Sequence, residues 1–191
     1  MNEETARSIQ TIAAVGGVLA TTFGLLFIYL QIRSAAKTAR GQNTMSFLMG
    51  DQFRAVREAE RIAAEGVFDP TDHVQLDAET VRLILNDRHL RETVKAKLNL
   101  YEAACCAIVH KALDEAMYRD FANRAVRMIY WKYYAYIETS RLETQNPTLY
   151  GEFEMIAKKW DRENSFSHHF FTKDGEVVRG KKYDDLALLP R

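Results

Sequence analysis

The chain has 191 residues and carries 26 basic and 26 acidic side chains, so its formal net charge is zero. Proteins dedicated to nucleic-acid binding normally carry a large basic surplus, and this balance therefore argues against nucleic acid as a partner. Hydrophobic residues make up 47% of the chain and prolines number only three, a composition typical of a folded domain.

Residues 1–8 form a short polar flank, and the run that follows, residues 9–32, contains no charged side chain. At about 1.5 Å per helical residue, this run is long enough to cross the hydrocarbon core of a bilayer. We therefore predict a transmembrane helix over residues 9–32. A cleaved signal peptide ending near Ser34-Ala35-Ala36 is the alternative, but the apolar run exceeds that of a usual signal peptide.

Small residues follow one stripe of the predicted span. Small side chains at helical spacing let two helices approach closely, so the stripe is a candidate for helix–helix packing in a homo-oligomer. The alternative is that small residues are simply common in spanning helices. The stripe consists of Ala13, Gly17, Ala20, Thr21 and Gly24.

Basic residues follow the span, which sets its predicted orientation. Arg33, Lys37 and Arg40 precede any acidic residue after the span, and Tyr29 suits the membrane interface. Because basic flanks stay on the cytoplasmic side, we expect a single-pass protein of a bacterial inner membrane, with the N-terminus outside and the C-terminal domain in the cytoplasm. The lipid bilayer is its first expected partner.

The remaining chain has the apolar periodicity of helices, so the predicted fold class is all-α. Residues 33–66 form a juxtamembrane amphipathic helix with flexure points at Gly41 and Gly50, and residues 66–76 form a connection. Residues 77–163 supply further helices, which pack with the 33–66 helix as an antiparallel cytoplasmic bundle.

Cap residues divide this bundle into helices. Asp77 and Asp114 are placed to cap helices, and Asn86-Asp87 to separate two of them. The helix after Asp114 continues without a breaker to about Thr144, and Asn146-Pro147 starts another.

The segment 164–191 differs from the rest of the chain. Apolar pairs flank Lys173-Asp174-Gly175-Glu176, and Asp-Gly between apolar runs is a hairpin signal. A loosely ordered tail is the alternative, because a lone hairpin is marginally stable.

A cluster of aromatic residues covers more than one face of its helix. It consists of Tyr130, Trp131, Tyr133, Tyr134 and Tyr136. We consider it a candidate interaction surface, with packing inside the bundle as an equally weighted alternative. The adjacent cysteines, Cys105 and Cys106, are expected to be reduced side chains at a helix interface.

Candidate catalytic residues are few. Arg162 and His168 have a spacing that resembles the Arg-x4-6-His signature of HEPN ribonucleases, although Arg82 and His89 share it and Glu163 stands where that family often has Asn, Asp or His. His168 and His169 with Asp161 and Glu163 lack the spacing of a metal site. We therefore predict no metal and no cofactor.

Several short motifs resemble a recurring group of bacterial proteins. They are the N-terminal span, Leu100-Tyr101-Glu102, Leu113-Asp114-Glu115, Trp131, and Asn146-Pro147 leading to Phe153-Glu154. The group is a domain family of unknown function whose members are short, membrane-anchored and helical. The resemblance covers residues 5–160 and implies architecture and location, but no activity. The family commonly has glycine before the Leu-Asp turn, where this chain has His110-Lys111-Ala112.

The favoured function is that of an adaptor or sensor, an uncharacterised single-pass membrane protein whose cytoplasmic helical domain binds an unidentified protein partner. One alternative is a membrane-tethered hydrolase or HEPN-like ribonuclease with Arg162, His168 and His169 as candidate catalytic residues. The other is a homo-oligomeric structural membrane protein.

Overall fold

The computed structural model describes the backbone of residues 3–163, 170–171 and 177–178, and the side chains of residue 21 and residues 23–163. This part of the chain is helical apart from two short strands. The helices are α1 (Glu3–Met49), α2 (Gln52–Ala63), α3 (Ala78–Asn86), α4 (Arg88–Val109), α5 (Glu115–Lys132), α6 (Tyr134–Thr144) and α7 (Gly151–Glu163). Strands β1 (Phe170–Phe171) and β2 (Val177–Val178) pair antiparallel where the sequence predicts a hairpin, and the turn between them lies outside the described residues.

Helix α4 is the centre of the bundle, because it packs against α2, α3 and α7, while α7 also packs against α5. Aromatic rings fill much of the core. The largest side chains with almost no exposed surface include Trp160, Tyr118, Tyr130, Tyr133, Tyr136 and Phe153. The all-α prediction is confirmed, and the antiparallel arrangement stays a prediction.

Helix α1 is unbroken across the predicted boundaries at residues 8, 32 and 41. Its described side chains are exposed up to residue 39, and burial begins near Thr44. The Thr44 hydroxyl accepts a hydrogen bond from the Asp114 backbone N–H at 2.8 Å. The Phe47 ring packs edge-on against Phe53 at 5.4 Å. Thus, among the side chains that the structure describes, α1 is attached to the bundle near its C-terminal end, and the chain turns at Gly50 rather than at Gly41.

No helix long and apolar enough to cross a bilayer is found among the residues whose side chains the structure describes. Residues 9–20 and 22 of the predicted span are outside that set. The transmembrane helix therefore stays a prediction.

The predicted caps at Asp77 and Asp114 are confirmed, and Asp87, predicted to separate two helices, is a third cap. The carboxylate of Asp77 accepts from the Thr80 N–H at 2.8 Å, that of Asp87 from the Leu90 N–H at 3.0 Å, and that of Asp114 from the Met117 N–H at 3.1 Å. Each bond satisfies a backbone donor that the first turn of a helix leaves free.

Two predicted helix boundaries are wrong. The helix that begins after Asp114 does not continue to Thr144; α5 ends at Lys132 and α6 starts at Tyr134. The last helix begins at Gly151 rather than at Asn146-Pro147, because the Asn146 side chain accepts the Thr148 N–H at 3.1 Å and holds a turn there.

The turn between α4 and α5 requires a left-handed residue. Lys111 has φ +59°, and the N–H groups of Ala112 and Leu113 both bond the Ala107 carbonyl, at 2.8 and 3.1 Å. Glycine adopts this backbone conformation without steric cost, whereas a residue with a Cβ atom adopts it at a steric cost. Lys111 therefore occupies a left-handed position that is typical of glycine.

The Tyr-Glu motif of α4 contacts the start of α7. The Tyr101 ring stacks on Phe153 with centroids 5.4 Å apart. The Glu102 carboxylate accepts the Phe153 N–H at 2.7 Å and the Glu152 N–H at 3.4 Å. Burial, followed by a hydrogen bond with Glu152, raises the pKa of Glu102 to about 7. The two motifs that are far apart in sequence therefore form one contact.

We expect Glu102→Ala to lower the free energy of unfolding by about 1–2 kcal/mol, because the first turn of α7 loses its side-chain acceptor. Chemical denaturation of the full chain in mild detergent measures this. Glu92→Ala, which removes an exposed carboxylate from the same helix, is the matched control and should change little. Equal effects of the two substitutions would contradict the capping role.

Candidate functional site

A cleft of about 700 Å³ lies between α2, α4, α5 and the turn at residues 70–72, and we call it the basic cleft. Its volume is in the range of small-molecule sites. It is lined by Arg54, Arg57, Glu58, Arg61, Pro70, Thr71, Asp72, Lys97, Tyr101, Phe121, Arg124, Ala125, Met128, Ile129 and Lys132.

Helix α2 supplies three arginines to one wall. Arg54, Arg57 and Arg61 are spaced by three and then four residues, so they share one face of the helix. All three are exposed. Arg61 forms an ion pair with Glu58 at 2.7 Å, which neutralises one of the three charges.

Beneath these arginines lies a buried ion pair. The Lys97 ammonium on α4 is 2.5 Å from the carboxylate of Glu60 on α2, and Glu60 has no exposed surface. The Tyr133 hydroxyl donates to the other carboxylate oxygen of Glu60. The same ammonium lies 5.0 Å from the centre of the Tyr133 ring. Three helix segments that are distant in sequence therefore meet at one carboxylate.

Burial controls the proton affinities of this group. Desolvation lowers the pKa of Lys97 below its usual value, and the attraction of Glu60 opposes that shift. The pKa of Tyr133 is raised well above its usual value by burial and by the negative charge of Glu60. The Tyr133 phenol is therefore neutral near neutral pH and donates its proton to the hydrogen bond with Glu60.

A second lysine connects α5 to the turn below the cleft. The Lys132 ammonium donates to the backbone carbonyls of Asp69, at 2.5 Å, and of Asp72, at 3.2 Å, and also to the Asp72 carboxylate. Asp69 itself accepts the Thr71 N–H and hydroxyl, both at 2.7 Å. These bonds fix the 69–72 turn at the edge of the cleft.

The opposite wall, on α5, combines an apolar ring with a cation. The Phe121 side chain is 68% exposed, which is a large fraction for an aromatic residue. The Arg124 guanidinium is 3.2 Å from the His73 ring nitrogen. The wall therefore presents both an aromatic face and a positive charge to the cleft.

The predicted membrane-interface residues lie on the part of α1 that stands away from the bundle. Tyr29, Arg33 and Lys37 are exposed, and Arg40 is half-buried. Of the predicted packing stripe, only Thr21 and Gly24 have described side-chain positions, and nothing lies within 4 Å of a Cβ built at Gly24. Interface and packing roles stay predictions.

The predicted aromatic interaction surface is wrong for four of its five residues. Tyr130 and Tyr133 have no exposed surface, Tyr136 has 1% and Trp131 has 8%, because these rings fill the bundle core. Only Tyr134 is partly exposed. Packing inside the bundle, the equally weighted alternative, is what the structure has. Cys105 is buried beside this core and Cys106 is half-buried, and both are free thiols.

The predicted catalytic residues are not brought together among the described residues. Arg162 is exposed and its side chain donates to the Lys158 carbonyl at 3.3 Å, while His168 and His169 lie outside the described residues. The two acidic neighbours are in ion pairs, Asp161 with Arg127 at 3.0 Å and Glu163 with Arg119 at 2.5 Å. Within the described residues no group of His, Cys, Asp and Glu is arranged to hold a metal.

Sequence reasoning missed Glu60 and the arginine face, although both have a signal. Glu60 lies four residues after Val56 and three before Ala63, on the apolar stripe of α2. A carboxylate on an apolar stripe indicates a buried partner. The spacing of Arg54, Arg57 and Arg61 likewise indicates one basic face rather than a scattered surface charge.

One comparison with known proteins gives a match. The family model of the domain of unknown function DUF4760 matches residues 11–160, from the apolar half of α1 to the end of the core in α7. No curated protein and no solved structure matches the chain.

Proposed function

This chain belongs to the DUF4760 family, a domain of unknown function, and from its own residues we propose that it is a single-pass membrane protein that presents a helical binding domain at the cytoplasmic surface. The observation that carries the proposal is the exposed apolar half of α1. The proposal also includes the side of the membrane on which the bundle lies and the binding of a protein partner.

Apolar side chains cover the whole circumference of α1 before the helix reaches the bundle. The large residues at positions 23, 25–30 and 32 are each between 51% and 68% exposed. Consecutive residues on a helix point about 100° apart, so this surface is not a single stripe. A helix that is apolar on every side is one that lipid or protein surrounds, and a bilayer is the simplest cover for a run of this length.

The charges after this run favour a cytoplasmic domain. Arg33, Lys37 and Arg40 are the first charged residues on the bundle side of α1. Basic residues next to a span remain in the cytoplasm and attract anionic lipid headgroups. From Arg33 to Thr44 the helix rises by about 16 Å, which places the bundle directly beneath the headgroups.

Confinement beneath the membrane suits the domain to the role of an adaptor. A tethered domain meets partners on the same membrane at a raised effective concentration, without any new contact. The exposed faces of the bundle helices are available to such a partner.

Membrane attachment is tested by washing membranes from cells that express the full chain with alkaline carbonate. We expect the wild-type chain to stay in the membrane pellet. Thr21→Arg/Phe23→Arg should move it to the supernatant, because each arginine near the middle of the predicted span costs about 2.5–3.5 kcal/mol of insertion free energy. The matched control is Leu83→Arg/Leu142→Arg, which adds two arginines to exposed positions of the bundle and should leave the chain in the pellet.

Orientation is tested by fusing alkaline phosphatase, which is active only outside the cytoplasm, after Arg191. We expect an inactive fusion. Recovery of the wild-type chain in the carbonate supernatant would refute the anchor, and an active fusion would reverse the orientation.

A further inference from the structure

The basic cleft has more positive charge than its own acidic residues neutralise. Lys97 is paired with Glu60, Lys132 with Asp72, and Arg61 with Glu58.

Three cations remain after these pairs are counted. Arg54 and Arg57 have no ion-pair partner among the described residues, and Arg124 contacts only the His73 ring and the Met128 sulfur there. A local excess of three cations is notable in a chain whose formal net charge is zero.

The unpaired cations lie over a buried floor. Lys97 and Tyr101 beneath them are 5% and 8% exposed. Arg57 lines the cleft together with both residues. Its positive charge acts to lower the pKa of each, although burial outweighs this effect at Tyr101, whose pKa is raised. Charges in a cleft above buried groups are screened less than charges on a convex surface, so they attract an anion more strongly.

We propose that the basic cleft binds a small anion that carries two or more phosphate groups joined to an aromatic or apolar part, as in a nucleoside diphosphate or triphosphate. Arginine suits this ligand because its planar fork donates two hydrogen bonds to one phosphate. The number of unpaired cations corresponds to the charge of such a ligand.

The two walls of the cleft contact different parts of the ligand. The phosphates contact Arg54 and Arg57 on α2 and Arg124 on α5. The aromatic part lies against Phe121 and the neighbouring side chains of Met128 and Ile129 on α5. This arrangement accounts for the exposure of Phe121, because the bound ligand covers the ring and removes it from water.

Binding is tested with the full chain in mild detergent and a fluorescent methylanthraniloyl derivative of ATP as the probe. We expect saturable binding that unlabelled ATP displaces, that inorganic tripolyphosphate displaces more weakly, and that adenosine displaces least. Arg54→Gln/Arg57→Gln should raise the Kd by about tenfold or more, since each arginine gives charge-assisted hydrogen bonds. Arg124→Gln, on the other wall, should raise the Kd independently.

The matched control is Arg82→Gln/Arg88→Gln, which removes two exposed arginines outside the cleft and should leave the Kd unchanged. Circular dichroism establishes that every variant retains its helices.

Phosphate in the cleft has two sources, a free nucleotide and a lipid headgroup, and mixed micelles separate them. If cardiolipin, an anionic lipid with two phosphate groups, displaces the probe from the cleft and phosphatidylcholine does not, the phosphates come from a lipid headgroup. If neither lipid displaces the probe while unlabelled ATP does, the result supports a free nucleotide.

Three results would overturn the proposal. They are the absence of saturable binding, equal affinity of the cleft and control variants, and displacement of the probe by a polyglutamate peptide as efficiently as by ATP. The last result would assign the cleft to acidic protein segments instead.

Discussion

Replacing Lys97 by methionine is expected to lower the free energy of unfolding by about 3–5 kcal/mol, the largest effect of any single substitution considered for this chain. The substitution keeps the length of the side chain but leaves the Glu60 carboxylate buried without its cation. Among the described residues, the Tyr133 hydroxyl is then its one hydrogen-bond donor, and one neutral donor does not compensate for a buried negative charge.

The double variant Glu60→Gln/Lys97→Met separates the pair from the individual residues. With both charges removed, no ion is left in the core, and we expect the double variant to be more stable than Lys97→Met alone. Chemical denaturation of the wild type, Glu60→Gln, Lys97→Met and the double variant gives the coupling free energy directly.

Arg61→Met is the matched control for Lys97→Met. It breaks the ion pair with Glu58, whose two side chains are 62% and 56% exposed, and should change stability little. If Lys97→Met is no more harmful than Arg61→Met, the buried pair does not stabilise the bundle.

Raising the pH above 10 is expected to unfold the bundle cooperatively, in the range of about pH 11 to 12. Burial raises the pKa of Tyr101 to about 12, and burial also raises the pKa of several other tyrosines. The largest of these other shifts are at Tyr118, Tyr130, Tyr133 and Tyr150.

The sign of the effect follows from proton binding. Between pH 10 and the raised values, the folded chain keeps its phenol protons while the unfolded chain releases them, so stability falls as the pH rises. Tyr101 alone removes about 2–3 kcal/mol by pH 12. The lowered pKa of Lys97 acts in the opposite direction, but one lysine does not offset five tyrosines.

Far-UV circular dichroism and the absorbance of tyrosinate, recorded on one pH titration, measure this. We expect the absorbance to rise together with the loss of helix. Tyr118→Phe should move the midpoint to higher pH at little cost near neutrality, because the Tyr118 hydroxyl is buried and has no hydrogen-bond partner among the described residues. A gradual rise in absorbance with the helices intact would show that the tyrosines are accessible to solvent.

Local sequence signals predicted the helix starts better than the contacts between helices. Asp77, Asp87 and Asp114 are caps by virtue of their own side chains, so the residues around them suffice to place them. The break at Tyr133 has no glycine or proline to announce it. At this break Lys132 donates to the 69–72 turn and Tyr133 donates to Glu60. These partners are 60 or more residues away in sequence, and they set the backbone conformation at residue 133.

The same distinction applies to the basic cleft. The arginine spacing on α2 is readable in the sequence, whereas the opposite wall is not, because Phe121 and Arg124 join it only when α5 folds beside α2. The aromatic cluster at residues 130–136 is a candidate interaction surface in the sequence because its rings cover more than one face of the helix. The rings instead fill the core, since a small bundle needs large side chains there.

The continuity of α1 fixes the rotational phase between its two ends. Since the helix passes residues 33–43 without a break and is attached at Thr44, its outer half and the bundle turn as one body. One residue inserted between Arg33 and Thr38 would rotate the bundle about the helix axis by about 100° and move it by about 1.5 Å. Seven inserted residues would nearly restore the original phase at a distance about 10 Å greater. The direction in which the cleft faces is therefore set by the number of residues in this segment as much as by their chemistry.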